Sequence, residues 1–190
     1  MSIESFWEYS CRIYSLASVR EACLQLQDEH DLDVNMLLLC CWHGTTRGEF
    51  AERFLAQALS LSQTWSANVV SPLRGARRWM KAQLAQDSPP KALVSESFIS
   101  LREDIKALEL RCEQHQQSFL QATCTTEPVA LKHAQQVAAI AYNFQRLLVA
   151  IQQNKNVQLI SAIKHFIVLI TAHPTSSKDE ALAILQKVWA

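Results

Sequence analysis

Apolar side chains recur three and four residues apart along most of this chain, the spacing of one face of an α-helix. Four segments also carry a helix-start signature, Ser or Thr followed three residues later by Glu: Ser5–Glu8, Ser18–Glu21, Thr46–Glu49 and Ser177–Glu180. In such a capping box the hydroxyl accepts from a first-turn backbone N–H and the carboxylate reaches back to the N–H of the capping residue. Asp33 is a further expected cap, for a helix from Val34 to His43 that Gly44 would end. The pattern predicts helices near residues 5–16, 18–30, 34–43, 47–61 and 63–86, with Pro72 kinking or dividing the last.

Residues 87–94, containing Pro89 and Pro90, read as a linker between an N-terminal helical lobe (1–86) and a C-terminal one (95–190). Past it, Phe98, Leu101, Ile105, Leu108, Cys112, His115 and Phe119 alternate spacings of three and four, the pattern of a packed helical seam. A helix expected to start near Pro128 carries Ala134, Val137, Ala141, Phe144, Leu148 and Ile151 at the same alternation. The short Thr123–Glu127 connection predicts that these two helices form an antiparallel hairpin. Helices at 157–172 and 178–189 complete an all-α, multi-helix bundle of eight or nine helices, whose two lobes could pack as one domain.

Composition supports that reading. Among 190 residues there are only three glycines, too few for the turns a sheet protein of this length needs. Lys+Arg and Asp+Glu are equal at 18 each, so no overall positive field draws the chain to nucleic acid and any electrostatic partner must meet a local patch. The amphipathic Met1–Leu16 segment carries Glu4, Glu8 and Arg12, unlike a secretory leader, and implies a cytoplasmic setting in which the six cysteines are reduced packing residues. Val157–Ala172 is too short to span a bilayer and contains Lys164 and His165, so it reads as a core helix.

Two stretches resemble a known family. Leu26–Trp42 is similar to the signature LQDEHGLDVNLLLFCLW of short helical proteobacterial proteins described only as a domain of unknown function, and Val69–Arg78 resembles that family's second block, VVxPLRxLRR. The opening Phe6-Trp7 fits its aromatic start, and the likeness extends over roughly residues 4 to 120. It implies an all-helical fold and a bacterial cytoplasmic setting, and no activity. Asp31 stands where the family has glycine; Asp tolerates left-handed backbone better than most residues. Gly75 stands where a larger apolar residue is usual.

Two clusters could carry chemistry. Arg74, Arg77, Arg78 and Lys81 fall at i, i+3, i+4 and i+7, within about 100° of helical arc, a face suited to phosphate or to an acidic protein surface. The alternative is a face whose arginines pair with acids of the same protein. Trp79 projects about 150° from that face, which weakens base stacking and single-strand nucleic-acid binding. The second cluster is Glu29, His30, Asp33 and His43, carboxylates and imidazoles of the kind acid–base or metal chemistry uses, although capping accounts for much of it. His115 is expected as a hydrogen-bonded polar residue of the seam. Zinc, di-iron, phosphate-loop and nucleophile-elbow motifs are absent, so no metal or cofactor is implied. The leading expectation is a non-catalytic interaction or adaptor protein using Arg74, Arg77, Arg78 and Lys81 against an unidentified acidic or phosphate-bearing partner. A small-molecule or metal-dependent enzyme at Glu29, His30, Asp33 and His43, and a homo-oligomer built through residues 95–153, are the alternatives.

Overall fold

A computed structural model describes residues 4–86, 90, 95–153, 156–171 and 178–189. The expected linker, apart from Pro90, and Ser177 of the last predicted capping box lie outside them. Among the described residues the chain is helical without strands: α1 (Phe6–Tyr14), α2 (Ala17–His30), α3 (Val34–Thr46), α4 (Glu52–Trp65), α5 (Ser71–Leu84), α6 (Glu96–Thr123), α7 (His133–Ala150), α8 (Val157–Thr171) and α9 (Lys178–Val188). No helix of the described residues is long and apolar enough to cross a membrane.

The cap chemistry holds at two sites and shifts at two. Ser5 and Glu8 form the reciprocal capping box at the start of α1. Asp33 caps α3, its Oδ1 accepting from the Asn35 N–H at 2.8 Å. Helix α2 begins one residue ahead of Ser18, at Ala17, and its cap residue Leu16 offers no side-chain acceptor. Thr46 is the last residue of α3 rather than a cap for α4; its hydroxyl turns back to the Trp42 carbonyl at 2.6 Å. Gly44 does not end α3, and the left-handed turn falls four residues on, at Gly48 (φ 89). Asp31 ends α2 in the left-handed region (φ 55), with its own N–H on the Gln27 carbonyl.

Pro72 divides the fifth predicted helix as expected, by a specific device. Helix α4 runs through a π-helical turn, Ser66–Val70, into α5, and Pro72 lies in the first turn of α5. A proline there has no N–H and its ring would strike the carbonyl four residues back. The wider turn, closed by the Ser71 N–H on the Ser66 carbonyl, accommodates both.

Helix α3 is the axis of the molecule. Every residue from Asn35 to Gly44 is buried, which is why this stretch has no polar face. It packs on α1, α2, α4 and α6, and most extensively on α7; α7 in turn packs on α8 and α9, and α8 on α2. One apolar cluster takes Phe6, Leu26, Leu37, Trp42 and Phe54 from before residues 87–94, and Leu120, Phe144, Phe166 and Leu185 from after them. Phe6 stacks on Trp42 at 5.2 Å, and the buried Asn143 of α7 ties the elements together by donating to the Cys40 and Gly48 carbonyls and accepting from the Phe50 N–H.

The expected hairpin between the helix carrying Phe98 to Phe119 and its successor is not formed: α6 packs on α5, α4 and α1, while α7 goes to α3. The cause lies in the connection. Residues 124–132 are non-helical, so α7 starts at His133 rather than near Pro128, and the Val129 N–H donates to the Thr46 carbonyl at 2.8 Å. Pinned to the end of α3, the chain is carried away from α6. The antiparallel pair is instead α5–α6, spanning the proline-rich segment. Cys23, Cys40 and Cys41 are buried packing residues as expected, but Cys11 is exposed and Cys112 and Cys124 are half-buried.

Candidate binding site

Helix α5 packs on α6, burying Met80 and sending Arg74 and Arg77 to the acids of that helix. Arg74 donates from Nε to Glu109 at 3.0 Å, from Nη2 to Glu113 at 2.6 Å and from Nη1 to the Gln27 amide oxygen at 3.2 Å. Arg77 clamps the same Glu109 through Nε and Nη2, at 2.5 and 3.2 Å. Glu109 is 5% exposed, so this is a desolvated carboxylate held by two guanidinium groups. Two of the four predicted cations are therefore spent inside the fold. Arg78 makes a 3.5 Å contact with Asp28 in which both side chains are more than half exposed. Lys81 is exposed and has no ion-pair partner among the described residues.

The paired carboxyls titrate in opposite directions. Burial works to raise Glu109, but the hydrogen bonds from Arg77 and Arg74 outweigh it and hold this carboxyl below the usual range. Burial dominates at Glu113 and raises it, with Arg74 compensating only in part.

Behind the arginines, a cavity of about 520 Å³ opens between α1, α2, α3, α5 and α6. Asp33, Asn35 and Gln117 of its lining belong to a chain of buried side-chain hydrogen bonds that also runs through Ser62 and Gln116. Asp33 Oδ2 accepts from Ser62 at 2.5 Å and from Gln116 Nε2 at 3.3 Å. Gln116 Oε1 accepts from Asn35 at 2.8 Å, and Asn35 Oδ1 accepts from Gln117 at 2.7 Å. Gln117 Oε1 ends the chain and has no hydrogen-bond partner among the described residues.

The second predicted cluster is not assembled. Glu29 is exposed and accepts from Gln25 at 3.1 Å. His30 sits at the C-terminus of α2, where its carbonyl receives Gln153. Asp33 and His43 occupy opposite ends of α3, about 15 Å apart at 1.5 Å per residue. His43 lies among Phe50 and Phe54 with Nδ1 2.9 Å from the Gly48 carbonyl, and burial lowers its pKa. Among the described residues no three His, Cys, Asp or Glu side chains are placed to hold a metal ion. His115 is exposed and lies tilted against the rings of Trp65 and Phe119, at 5.5 and 4.2 Å between centroids.

Reading the sequence missed the acids that receive the arginines and the amide chain. A signal for the first existed: Arg74 and Arg77 are three apart, Glu109 and Glu113 four apart, so each pair shares a helix face. The second had none, because Asn35 and Gln116 are distant in sequence.

Fold and site together define an all-helical, multi-helix protein organised around a buried central helix and a salt-bridged antiparallel pair. Residues 5–120 match the family described as protein of unknown function (DUF2390), and the chain belongs to that family. No curated protein and no solved structure matches it. The two stretches that carry the sequence resemblance meet at the cavity, the first through Gln27, Asp33 and Asn35 and the second through Arg74, Arg77 and Arg78.

Proposed function

We propose that this chain is a bacterial, cytoplasmic, non-catalytic interaction protein that docks an acidic protein surface through the outward side of the α5–α6 pair. The observation carrying this reading is the orientation of α6. Its polar Glu109, Gln116 and Gln117 are buried, while Leu101, Leu108 and Phe119, which share one side of the helix, are 53%, 44% and 37% exposed. Clustered apolar exposure is costly in water and is characteristic of surfaces that bind. Arg78 and Lys81 supply the positive charge that an acidic partner would meet, whereas Arg74 and Arg77 serve the fold.

The test is affinity capture from native lysate, with and without nuclease, for wild type beside R78E/K81E and L101E/L108E, with folding checked by circular dichroism. Loss of the same nuclease-resistant acidic protein from both variants supports the reading. Retention of every captured species in both variants refutes it. Nuclease-sensitive capture would replace the acidic protein by a phosphate backbone, and capture of the chain itself alone would favour a homo-oligomer.

A further inference from the structure

We propose that a second copy of this chain covers the exposed side of α6, the two helices lying antiparallel about a two-fold axis. The inference rests on the reading of that side as a binding surface and divides it. The apolar seam goes to the second copy, and Arg78 and Lys81 stay with the acidic partner. Arg78 reaches toward Asp28 of α2 and so stands off the seam.

The pair α5–α6 is short of apolar cover. Among the described residues from Ser71 to Leu110, only Met80 and Glu109 are buried, and none joins the apolar cluster around α3. Helices in proteins draw most of their stability from burying an apolar face in tertiary contact. The face that could supply it runs through Phe98, Leu101, Ile105, Leu108, Cys112, His115 and Phe119. Phe98, Ile105 and Cys112 are half-buried and the other four are exposed. Spacings of three and four alternate along it for about 33 Å of helix, at 1.5 Å per residue. That is the seam of a coiled coil, whose complement is another helix with the same repeat.

The charges beside the seam select the partner and its direction. Asp104 and Arg111 are exposed on one flank, at i and i+7, and neither has an ion-pair partner among the described residues. With Ile105 opposite Leu108 of an antiparallel second copy, Leu101 meets Cys112. Phe98 then meets His115, whose ring lies against Trp65 and Phe119. In this register Asp104 comes within about 3 Å, along the axis, of the level of Arg111 of the second copy. The two-fold axis repeats the pair, as an isologous interface requires. A parallel copy would instead set Asp104 beside Glu109, a like charge already held by Arg74 and Arg77. A foreign acidic helix would gain Arg111 but turn its own acids on Asp104. This chain, reversed, satisfies both charges.

The test is sedimentation velocity on the purified full chain between 5 and 200 μM, with folding checked by circular dichroism. A reversible dimer is expected. L108E should leave only monomer, and L101E does the same should L108E not fold. D104R and R111D should each weaken the dimer roughly three- to thirtyfold, since each alters both symmetric ion pairs. D104R/R111D exchanges the two charges and should restore the affinity, because the antiparallel register pairs them again. A wild-type monomer at 200 μM, a dimer indifferent to L108E, or a double exchange weaker than either single one would overturn the proposal. R78E/K81E should stay dimeric while losing the acidic protein. Because no other protein is present, absence of the dimer leaves the capture experiment standing, and loss of capture leaves the dimer standing.

Discussion

Gly44 lies where α3 packs against the backbone of α7 at Ile140, and a single methyl group there tests the packing at the centre of the molecule. A Cβ built on Gly44 would sit 2.6 Å from Ile140 Cγ1, 2.8 Å from its backbone nitrogen and 2.9 Å from its Cα. Two of those three atoms belong to the main chain of a helix and cannot swing aside, so α3 and α7 would have to separate. Overpacking of this kind costs about 1–3 kcal/mol, and contact with rigid atoms argues for the upper part of that range. Gly→Ala inside a helix would otherwise stabilise by up to about 1 kcal/mol. The expected net effect of G44A is a loss of about 2 kcal/mol, or roughly 4–8 °C in melting temperature for a chain of this length. Gly75 is the matched control, because it is also helical but nothing lies within 4 Å of its Cβ position. G75A should therefore gain about 0.5–1 kcal/mol. Urea titration followed by circular dichroism measures both, and adding I140A should not rescue G44A, since it leaves the main-chain contacts in place. A G44A protein as stable as wild type would refute the close approach of α3 and α7.

Glu109→Gln leaves two arginines without their shared carboxylate and should cost about 2 kcal/mol at pH 7, the full penalty of a broken buried pair being reduced because both guanidinium groups are partly solvated. The folded carboxyl is held below its ordinary pKa, so its contribution is present above that ordinary value and lost as pH falls through the depressed one; urea midpoints between pH 7 and 3 should show this acid loss flattened in E109Q. Glu113, raised by burial, has the opposite sign, and E113Q should be far less damaging at pH 7. Burial lowers the His43 pKa, so its contribution is intact above about pH 6.5 and lost as pH falls through the folded value. H43F should remove the dependence that begins just below neutrality and leave the carboxylate region unchanged.

Much of the local structure was readable because it depends on neighbours in sequence. The box at Ser5, the cap at Asp33 and the break at Pro72 each follow from a few consecutive residues. The errors share a cause in longer-range contacts. Gly44 looked like a helix stop, but its missing side chain serves the approach of Ile140 and the stop moves to Gly48. Pro128 suits a first helical turn, yet the backbone beside it is claimed by the Thr46 carbonyl. At the candidate site the face of Arg74, Arg77, Arg78 and Lys81 was legible as a face. Its division into two arginines paired with Glu109 and Glu113, and two cations left outside, was decided by a helix more than thirty residues away.

Helix α6 shows where hydrophobic periodicity stops being informative. The spacing of Phe98, Leu101, Ile105, Leu108, Cys112, His115 and Phe119 establishes that these residues share one side of a helix, but not that this side is the one buried. Leu108 and Glu109 are neighbours in sequence and about 100° apart on the helix, and the fold takes the glutamate. It does so because the facing surfaces carry Arg74 and Arg77 toward Glu109 and the Asp33–Asn35 group toward Gln116 and Gln117, so turning the leucines inward would strand two arginines and a carboxylate without partners. Satisfying those groups outweighs covering Leu101 and Leu108, since a buried charge without a partner costs several kcal/mol, whereas each leucine stays partly covered where it is. The apolar side of α6 therefore faces outward as a consequence of the polar groups beneath it, and a partner that covered Leu101 and Leu108 would bury that surface without disturbing the salt-bridged pair.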